Sequence, residues 1–420
     1  MRTSRIHYAW VIAAVTFLVL LAAAGFRSTV GVFVVPLEDE FGWGRDEVSL
    51  AIAINLVFYG LAAPFAAAFV ERMGARRVMI AGLGAVAAGA ALTIGMTALW
   101  QLDVLWGIVI ATATGAIAIP LSAIVATRWF VRHRGLVTGL LTASFATGNL
   151  VFLPLLAWVT DRHGWRWAVA IVAVTAAAII PVVVLLMRER PGDIGLTPYG
   201  AESDAPPAAQ TAPSDNAFVA PLRVLRRAVH VRDFWLLAGT FFICGWTTNG
   251  AVQSHFIPAA HDHGIPAVTA ASLLAIIGIC DIVGATASGW LTDRTDPRRL
   301  LFLYYCLRGT SLAALPFLLQ GTQLPLVAFA IIYGLDWVAT VPPTVALTNR
   351  AFGNQASIVF GWVFCAHMLG GGMAAWLAGT FREAFGDYLI AFTGAGMLAV
   401  LAGFAALGIA PGPRPNPHPV

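Results

Sequence analysis

Four ionisable side chains stand inside otherwise charge-free apolar stretches of this chain: Arg27, Asp281, Arg308 and Asp336. An ionised group in a bilayer costs about 2.5–3.5 kcal/mol on insertion scales, so such groups face a cavity or a partner and mark functional sites. A guanidinium there can attract an anion, and a carboxylate that gains and loses a proton can carry one across. Arg27 is therefore the first candidate for anion attraction and Arg308 the second, with Asp281 and Asp336 as proton carriers. Asp281 stands twelve residues before Asp293 and Arg308 ten after Arg298, which puts them at about 18 and 15 Å from one end of their helices. Those depths let Asp281 and Arg308 pair across neighbouring antiparallel helices. Arg308 is then either a structural partner of Asp281 or an anion-binding charge.

Polar and aromatic residues recur around these charges at helical spacing. Tyr333, Asp336, Trp337, Thr340 and Thr344 fall on one face, as do Trp246, Asn249, Gly250 and Gln253, and Gly278, Asp281, Ala285 and Ser288. Asn55, Tyr59 and Asn149 add amide and phenol groups elsewhere. Aromatics with a few placed polar groups suit a small-ligand pocket. The expected substrate-binding set is Arg27, Asn55, Tyr59, Asn149, Asn249, Gln253, Tyr333, Trp337 and Arg308. His367, beside Gly370–Gly372, is a third proton-coupling candidate or a core histidine; the glycines permit close helix approach or bending. The pair His261 and His263 is weak as a metal motif, and no metal site is expected.

These residues need long helices to hold them. Only 11% of the 420 residues are charged and 59% are hydrophobic, with a mean hydropathy of +0.80. A soluble domain carries about 25% charged residues; lipid must cover this surface instead. Twelve apolar runs are long enough to span about 30 Å: 6–35, 48–70, 78–102, 104–127, 135–160, 167–187, 234–260, 266–292, 300–320, 324–349, 351–381 and 389–413. The first, being too long for a signal peptide core, reads as an uncleaved membrane helix. The stretch 201–216, rich in Ala, Pro and Ser, reads as a linker. It divides the chain into an N-terminal six-helix half (1–190), a cytoplasmic linker (191–232), a C-terminal six-helix half (233–410) and a tail (411–420).

All basic residues are arginine. Most lie in the loops on one side of the runs, including Arg72, Arg76, Arg77, Arg128, Arg294, Arg298 and Arg299; only Arg45, Arg162, Arg166 and Arg382 lie on the other. The positive-inside rule then places both termini in the cytoplasm of a cell (inner) membrane. The same clustering argues against a nucleic-acid stripe. Cys244, Cys280, Cys306 and Cys365 sit in apolar runs without a CxxC pair and read as small core residues.

The halves repeat. At a shift of 222 residues Pro36 meets Pro258, Glu71-Arg72 meets Asp293-Arg294, Arg76-Arg77 meets Arg298-Arg299, Pro120 meets Pro342 and Arg128 meets Arg350. Gly139, Gly148 and Gly164 meet Gly361, Gly370 and Gly386. Parallel repeats of this kind build transporters from two related halves.

The loop ERMGARR, Glu71 to Arg77, and its partner GWLTDRTDPRR, Gly289 to Arg299, resemble the G-x-x-x-D-R-x-G-R-R loop of the major facilitator superfamily. The first copy has Ala67 for the leading glycine and Glu71 for the acid; the second lacks the inner glycine. The resemblance implies that Glu71, Arg72, Arg76, Asp293, Arg294 and Arg298 form gating loops that latch the halves. The segment RWFVRHRGLVTGLLTASFATG, Arg128 to Gly148, resembles the helix 4–5 signature of the monocarboxylate transporter group, and FGWGRDEVSLA, Phe41 to Ala51, resembles the stretch before its helix 2. In that group helix 8 carries an Asp and, four residues on, an Arg expected to bind the substrate carboxylate. Here Asp281 is present but Ala285 takes the Arg position. The group's basic residue in helix 1 has its match in Arg27.

The expectation is an all-α membrane protein of twelve transmembrane helices in two six-helix repeats, the major facilitator fold, with a central cavity. Its expected function is secondary active transport of a small organic anion, a monocarboxylate, coupled to protons by alternating access. The expected partners are the solute, a proton and the bilayer, without nucleic acid or cofactor, and the chain acts as a monomer. Export of a hydrophobic or cationic compound is the alternative, allowed by the missing helix 8 Arg and the buried acids. A non-transporting receptor or a membrane enzyme is remote: the sequence has no HExxH, nucleophile elbow or phosphate loop.

Overall fold

The structure is a computed structural model that describes residues 7–28, 30–117, 119–201 and 219–410. The side chains of Arg27, Glu71, Arg72 and Asn149 lie outside the described set. The N-terminal part comprises α1 (Tyr8–Ser28), α2 (Val30–Phe41), α3 (Arg45–Met73), α4 (Ala75–Ile94), α5 (Leu99–Leu102), a π-helical segment (Asp103–Ile110), α6 (Ala111–Ile117), α7 (Ile119–Trp129), α8 (Arg134–His163) and α9 (Trp165–Leu186). Next come α10 (Val219–Ala228), within the expected linker, α11 (Arg232–Gly245), a second π segment (Trp246–Gln253), α12 (Ser254–Asp262) and α13 (Ala267–Thr292). The last elements are α14 (Pro297–Leu319), α15 (Gln323–Asp336), α16 (Val341–Phe352), α17 (Ala356–Phe385) and α18 (Leu389–Leu407).

Among the described residues, ten stretches are long and apolar enough to cross a membrane, against twelve expected. The other two expected crossings are helical as well. The fifth is α8, and the seventh is α11, its π segment and α12. The seventh carries the polar sequence WTTNGAVQ at its middle, which lowers its hydropathy.

One boundary moves. The third run was expected to end near Leu102, with Asp103 in a loop. Instead the chain turns at Gly95, and the N–H groups of Thr97 and Ala98 donate to Oε1 of Gln101 at 2.7 and 3.1 Å, starting the next helix early. Asp103 therefore lies inside that helix, with Oδ1 buried and without a hydrogen-bond partner.

The repeat register recurs in the helix starts. Arg45 and Ala267, Ala75 and Pro297, and Arg134 and Ala356 each open a helix 222 residues apart. The parts meet where α3 packs on α17, α8 on α13 and α2 on α12. The glycine triplet in α17 permits this. A Cβ at Gly372 would lie 2.9 Å from the Ala53 carbonyl of α3, and one at Gly371 3.2 Å from Cβ of Asn249 in the π segment. Side chains there would push α17 away from both neighbours at once. The linker helix α10 buries Pro221, Val224 and Ala228, and Trp362 of α17 donates to the Pro221 carbonyl at 2.9 Å.

Candidate functional site

The expected tenth crossing is not one continuous helix. It stops at Asp336 and restarts at Val341, because Pro342 and Pro343 supply no N–H to the carbonyls of Val338 and Ala339. Val341 N–H turns to the Val338 carbonyl at 2.8 Å, and Trp337 N–H to that of Gly334 at 3.1 Å. These tighter bonds leave other backbone groups needing partners, which in lipid must come from the protein.

Three side chains supply them. Oδ1 of Asp281 accepts from Val338 N–H at 2.9 Å. The Ser288 hydroxyl donates to the Ala339 carbonyl. Arg308 donates to the carbonyls of Asp336 and, at 3.1 Å, Trp337. Its Nε also donates to Oδ2 of Asp336 at 2.7 Å, and its Nη1 to Sγ of Cys244 at 2.9 Å. The pair is sealed, at 0% exposure for Arg308 and 2% for Asp336.

Three expectations change. Arg308 pairs with Asp336, not Asp281, because Asp281 is occupied by the broken backbone. The face of Asp281 and Ser288 on α13 packs against that break, rather than lining a cavity; between them, Gly284 meets the Leu335 carbonyl. Cys244, read as an apolar filler, holds Arg308 and approaches the Thr340 hydroxyl at 3.2 Å. Asp336 thus takes the guanidinium while Asp281 holds the broken backbone beside it, and Oδ1 of Asp336 is buried without a hydrogen-bond partner.

The second π segment connects this cluster to the seam between α3 and α17. On one side the Tyr333 hydroxyl donates to the Thr247 carbonyl at 2.8 Å, and its ring meets Trp337 edge-on at 5.7 Å. On the other, Nδ2 of Asn249 lies 2.9 Å from Nε2 of His367, and Nδ1 of His367 lies 3.1 Å from the Phe241 carbonyl. A carbonyl only accepts, so His367 carries its hydrogen on Nδ1 and takes the amide hydrogen of Asn249 on Nε2. Gln253 ends the segment, its carbonyl 3.0 Å from where a Cβ of Gly31 would lie. Asn55 is placed apart from these residues. It donates to the Trp106 carbonyl in the first π segment at 2.7 Å. Tyr59 is buried on α3, with its ring 6.2 Å from that of Phe364.

The expected gating loops act inside their own parts, as far as their side chains are described. Arg76 donates to the Val184 carbonyl of α9, and its N–H and that of Ala75 are capped by Glu189 at 2.8 Å each. Arg298 pairs with Asp296 at 2.6 Å and reaches the Ile409 carbonyl at 3.3 Å. The hydrogen bonds from Arg298 hold the Asp296 carboxyl below its ordinary range. Arg294 lies over the Trp290 ring at 4.3 Å, and Asp293 is exposed.

Among the described residues, an ionic link between the two parts lies at the opposite end. Arg45, at the start of α3, binds Glu38 of α2 through Nε and Nη2 at 2.6 Å each. Its Nη1 reaches Asp262 of α12 at 3.0 Å and the Tyr388 hydroxyl at 3.2 Å. Arg382 joins Asp262 at 2.6 Å, and Glu383 accepts from Arg45 N–H at 2.8 Å. The sequence signals for this network are that Arg45 and Arg382 are two of the four arginines on the arginine-poor side and that Arg45 lies within FGWGRDEVSLA.

Residues 15–375 match the Major Facilitator Superfamily. The chain belongs to that superfamily. It is a multi-pass membrane transporter, not an enzyme, with the all-α major facilitator fold. The crystal structure of a D-xylose-proton symporter shares the fold at a TM-score of 0.73 with 14% identity, over 97% of this chain and 99% of that one. Monocarboxylate transporter 13 of Rattus norvegicus is 27% identical over 95% of this chain and 88% of its own length. A gallate transporter of Pseudomonas putida is 23% identical over 83% and 85%.

Proposed function

We propose that this superfamily member is a secondary active transporter that moves a small organic anion, a monocarboxylate, with a proton by alternating access. The observation that carries the reading is the two-acid, one-base cluster at the break between α15 and α16. With Arg308 committed to Asp336, the half-buried Asp281 is left without a guanidinium of its own, and an uncompensated carboxylate at membrane depth is expensive unless it takes up a proton. Proton exchange at Asp281 or Asp336 would loosen contacts to the broken backbone and so bias which side is open. Unwound backbone at mid-membrane is also where transporters of this general design bind solute and ion.

The anion reading draws support from two relatives whose names specify monocarboxylates and gallate, both carboxylates. Arg308 is a weaker anion site than its charge suggests, because its donors are engaged. Arg27 is the anion-binding candidate, with Asn249, Gln253, Tyr333 and Trp337 beside the second π segment completing the solute site, and His367 as a further proton-coupling candidate. The division at 1–190, 191–232, 233–410 and 411–420 describes the moving halves. Both termini face the cytoplasm, which puts the Arg45 network on the outside, and the transporting unit is the monomer.

Uptake of lactate-, pyruvate- and benzoate-like acids into proteoliposomes, with and without an inward proton gradient, tests this. Accumulation driven by the gradient, abolished by Arg27→Ala and uncoupled by Asp281→Asn, is expected. Uptake of no carboxylate at any pH would overturn the reading.

A further inference from the structure

Resting on that reading of alternating access, we propose that His255 is a proton-binding site, and that protonating it releases the Arg45 network and opens the outer end. His255 lies in α12 at 0% exposure. Its Nε2 is 2.7 Å from the Ala375 carbonyl of α17, and its Nδ1 is 3.1 Å from the Tyr388 hydroxyl.

The partners dictate the hydrogens. The Ala375 carbonyl only accepts, so Nε2 carries the hydrogen and Nδ1 is the acceptor. The Tyr388 hydroxyl therefore donates to Nδ1, and its oxygen accepts from Nη1 of Arg45 at 3.2 Å. Burial raises the Tyr388 hydroxyl well above its ordinary value, so it keeps its proton. The chain from Arg45 through Tyr388 and His255 to Ala375 is fully satisfied with a neutral imidazole.

A second hydrogen on His255 breaks that order. Nδ1–H would point at the Tyr388 oxygen, which already accepts from Arg45, and the tyrosine hydrogen would lose its acceptor. An imidazolium would also stand one residue away from Arg45. The other charges at this end are Glu38 on α2, Asp262 on its own segment, and Arg382 and Glu383 on α17, with His261 and His263 exposed next to Asp262. Glu38 and Asp262 are held by Arg45, and Asp262 also by Arg382, so no carboxylate contacts the imidazole. Opening the outer end would place His255 in water, where imidazole titrates near neutrality. The open form then binds this proton better than the closed one, and by linkage external acid favours opening. The same step would load the transporter from an acidic exterior, as gradient-driven uptake requires.

Hydrogen-exchange mass spectrometry of the full chain in nanodiscs reads both halves of the claim. Backbone exchange at the outer ends of α3, α12 and α17, corrected for intrinsic rate, should rise as the pH falls from about 8 to about 5.5, by at most about tenfold per pH unit for one proton. His255→Gln should flatten that dependence, and Arg45→Ala should show fast exchange at every pH. If the glutamine variant does not fold, deuteration of the imidazole carbon decides: His255 should be protected relative to exposed His261 and His263 in the native chain, and lose protection in Arg45→Ala. A pH dependence unchanged in His255→Gln, or a His255 still protected in Arg45→Ala, would overturn the proposal. Loss of proton-driven uptake with the exchange shift intact would sink the symport reading and leave the latch standing.

Discussion

Replacing Arg308 by Met tests the account of the broken helix most directly. The substitution keeps an unbranched side chain as far as the Nε position but leaves the Asp336 carboxylate, 2% exposed, without a cation. Removing one member of a buried pair costs about 3–5 kcal/mol. The carbonyls of Asp336 and Trp337 lose their donor too, at about 1–3 kcal/mol for a stranded buried group. The carbonyl term is common to the single and the double variant, so removing the acid as well should recover the charge term alone. Arg308→Met with Asp336→Leu is expected to regain at least about 2 kcal/mol over Arg308→Met, since it no longer buries a lone charge. For a unit of 150–250 residues each kcal/mol moves the melting midpoint by about 2–4 °C. Thermal unfolding in detergent, followed by tryptophan fluorescence, should then put the single variant lowest and the double between it and the native chain. A double variant no more stable than the single one would refute the claim that the pair's charge, rather than its packing, dominates.

Three further outcomes follow from contacts elsewhere. Asn55→Ala removes the side-chain donor to the Trp106 carbonyl and should lower stability by about 0.5–1.5 kcal/mol, seen as an earlier melting midpoint, with Asn55→Asp no better because a carboxylate does not donate. Gly372→Leu sets a side chain against the Ala53 carbonyl and should weaken closure of α3 on α17 by about 1–3 kcal/mol, read as faster exchange at the Arg45 end. Asp296→Ala removes the cap that accepts from Arg298 N–H and should cost about 1 kcal/mol at neutral pH. Because the Asp296 carboxyl is held below its ordinary value, that contribution is present above about pH 4 and lost as the pH falls through the lowered value, so the variant and native melting curves should converge in acid.

The crossings and the repeat were legible because hydropathy and helical spacing are local properties. Arg45, Ala75 and Arg134 open helices that recur at Ala267, Pro297 and Ala356, the same 222-residue register read from prolines and arginines alone. The four membrane-embedded charges were legible for the same reason: a charge in an apolar run is visible without knowing its neighbours. Which charges meet was decided only in three dimensions. Depth along a helix made Asp281 and Arg308 natural partners, but Pro342 and Pro343 break the tenth crossing, and the backbone groups they release claim Asp281 and turn Arg308 toward Asp336. The Arg45 network was hidden more completely. Glu38, Arg45, Asp262, Arg382 and Tyr388 come from segments up to 350 residues apart in sequence, and each alone is an ordinary charge or ring at a helix end. They become one network only where the two parts pack together, because only that packing dries the guanidinium and brings its acceptors within reach.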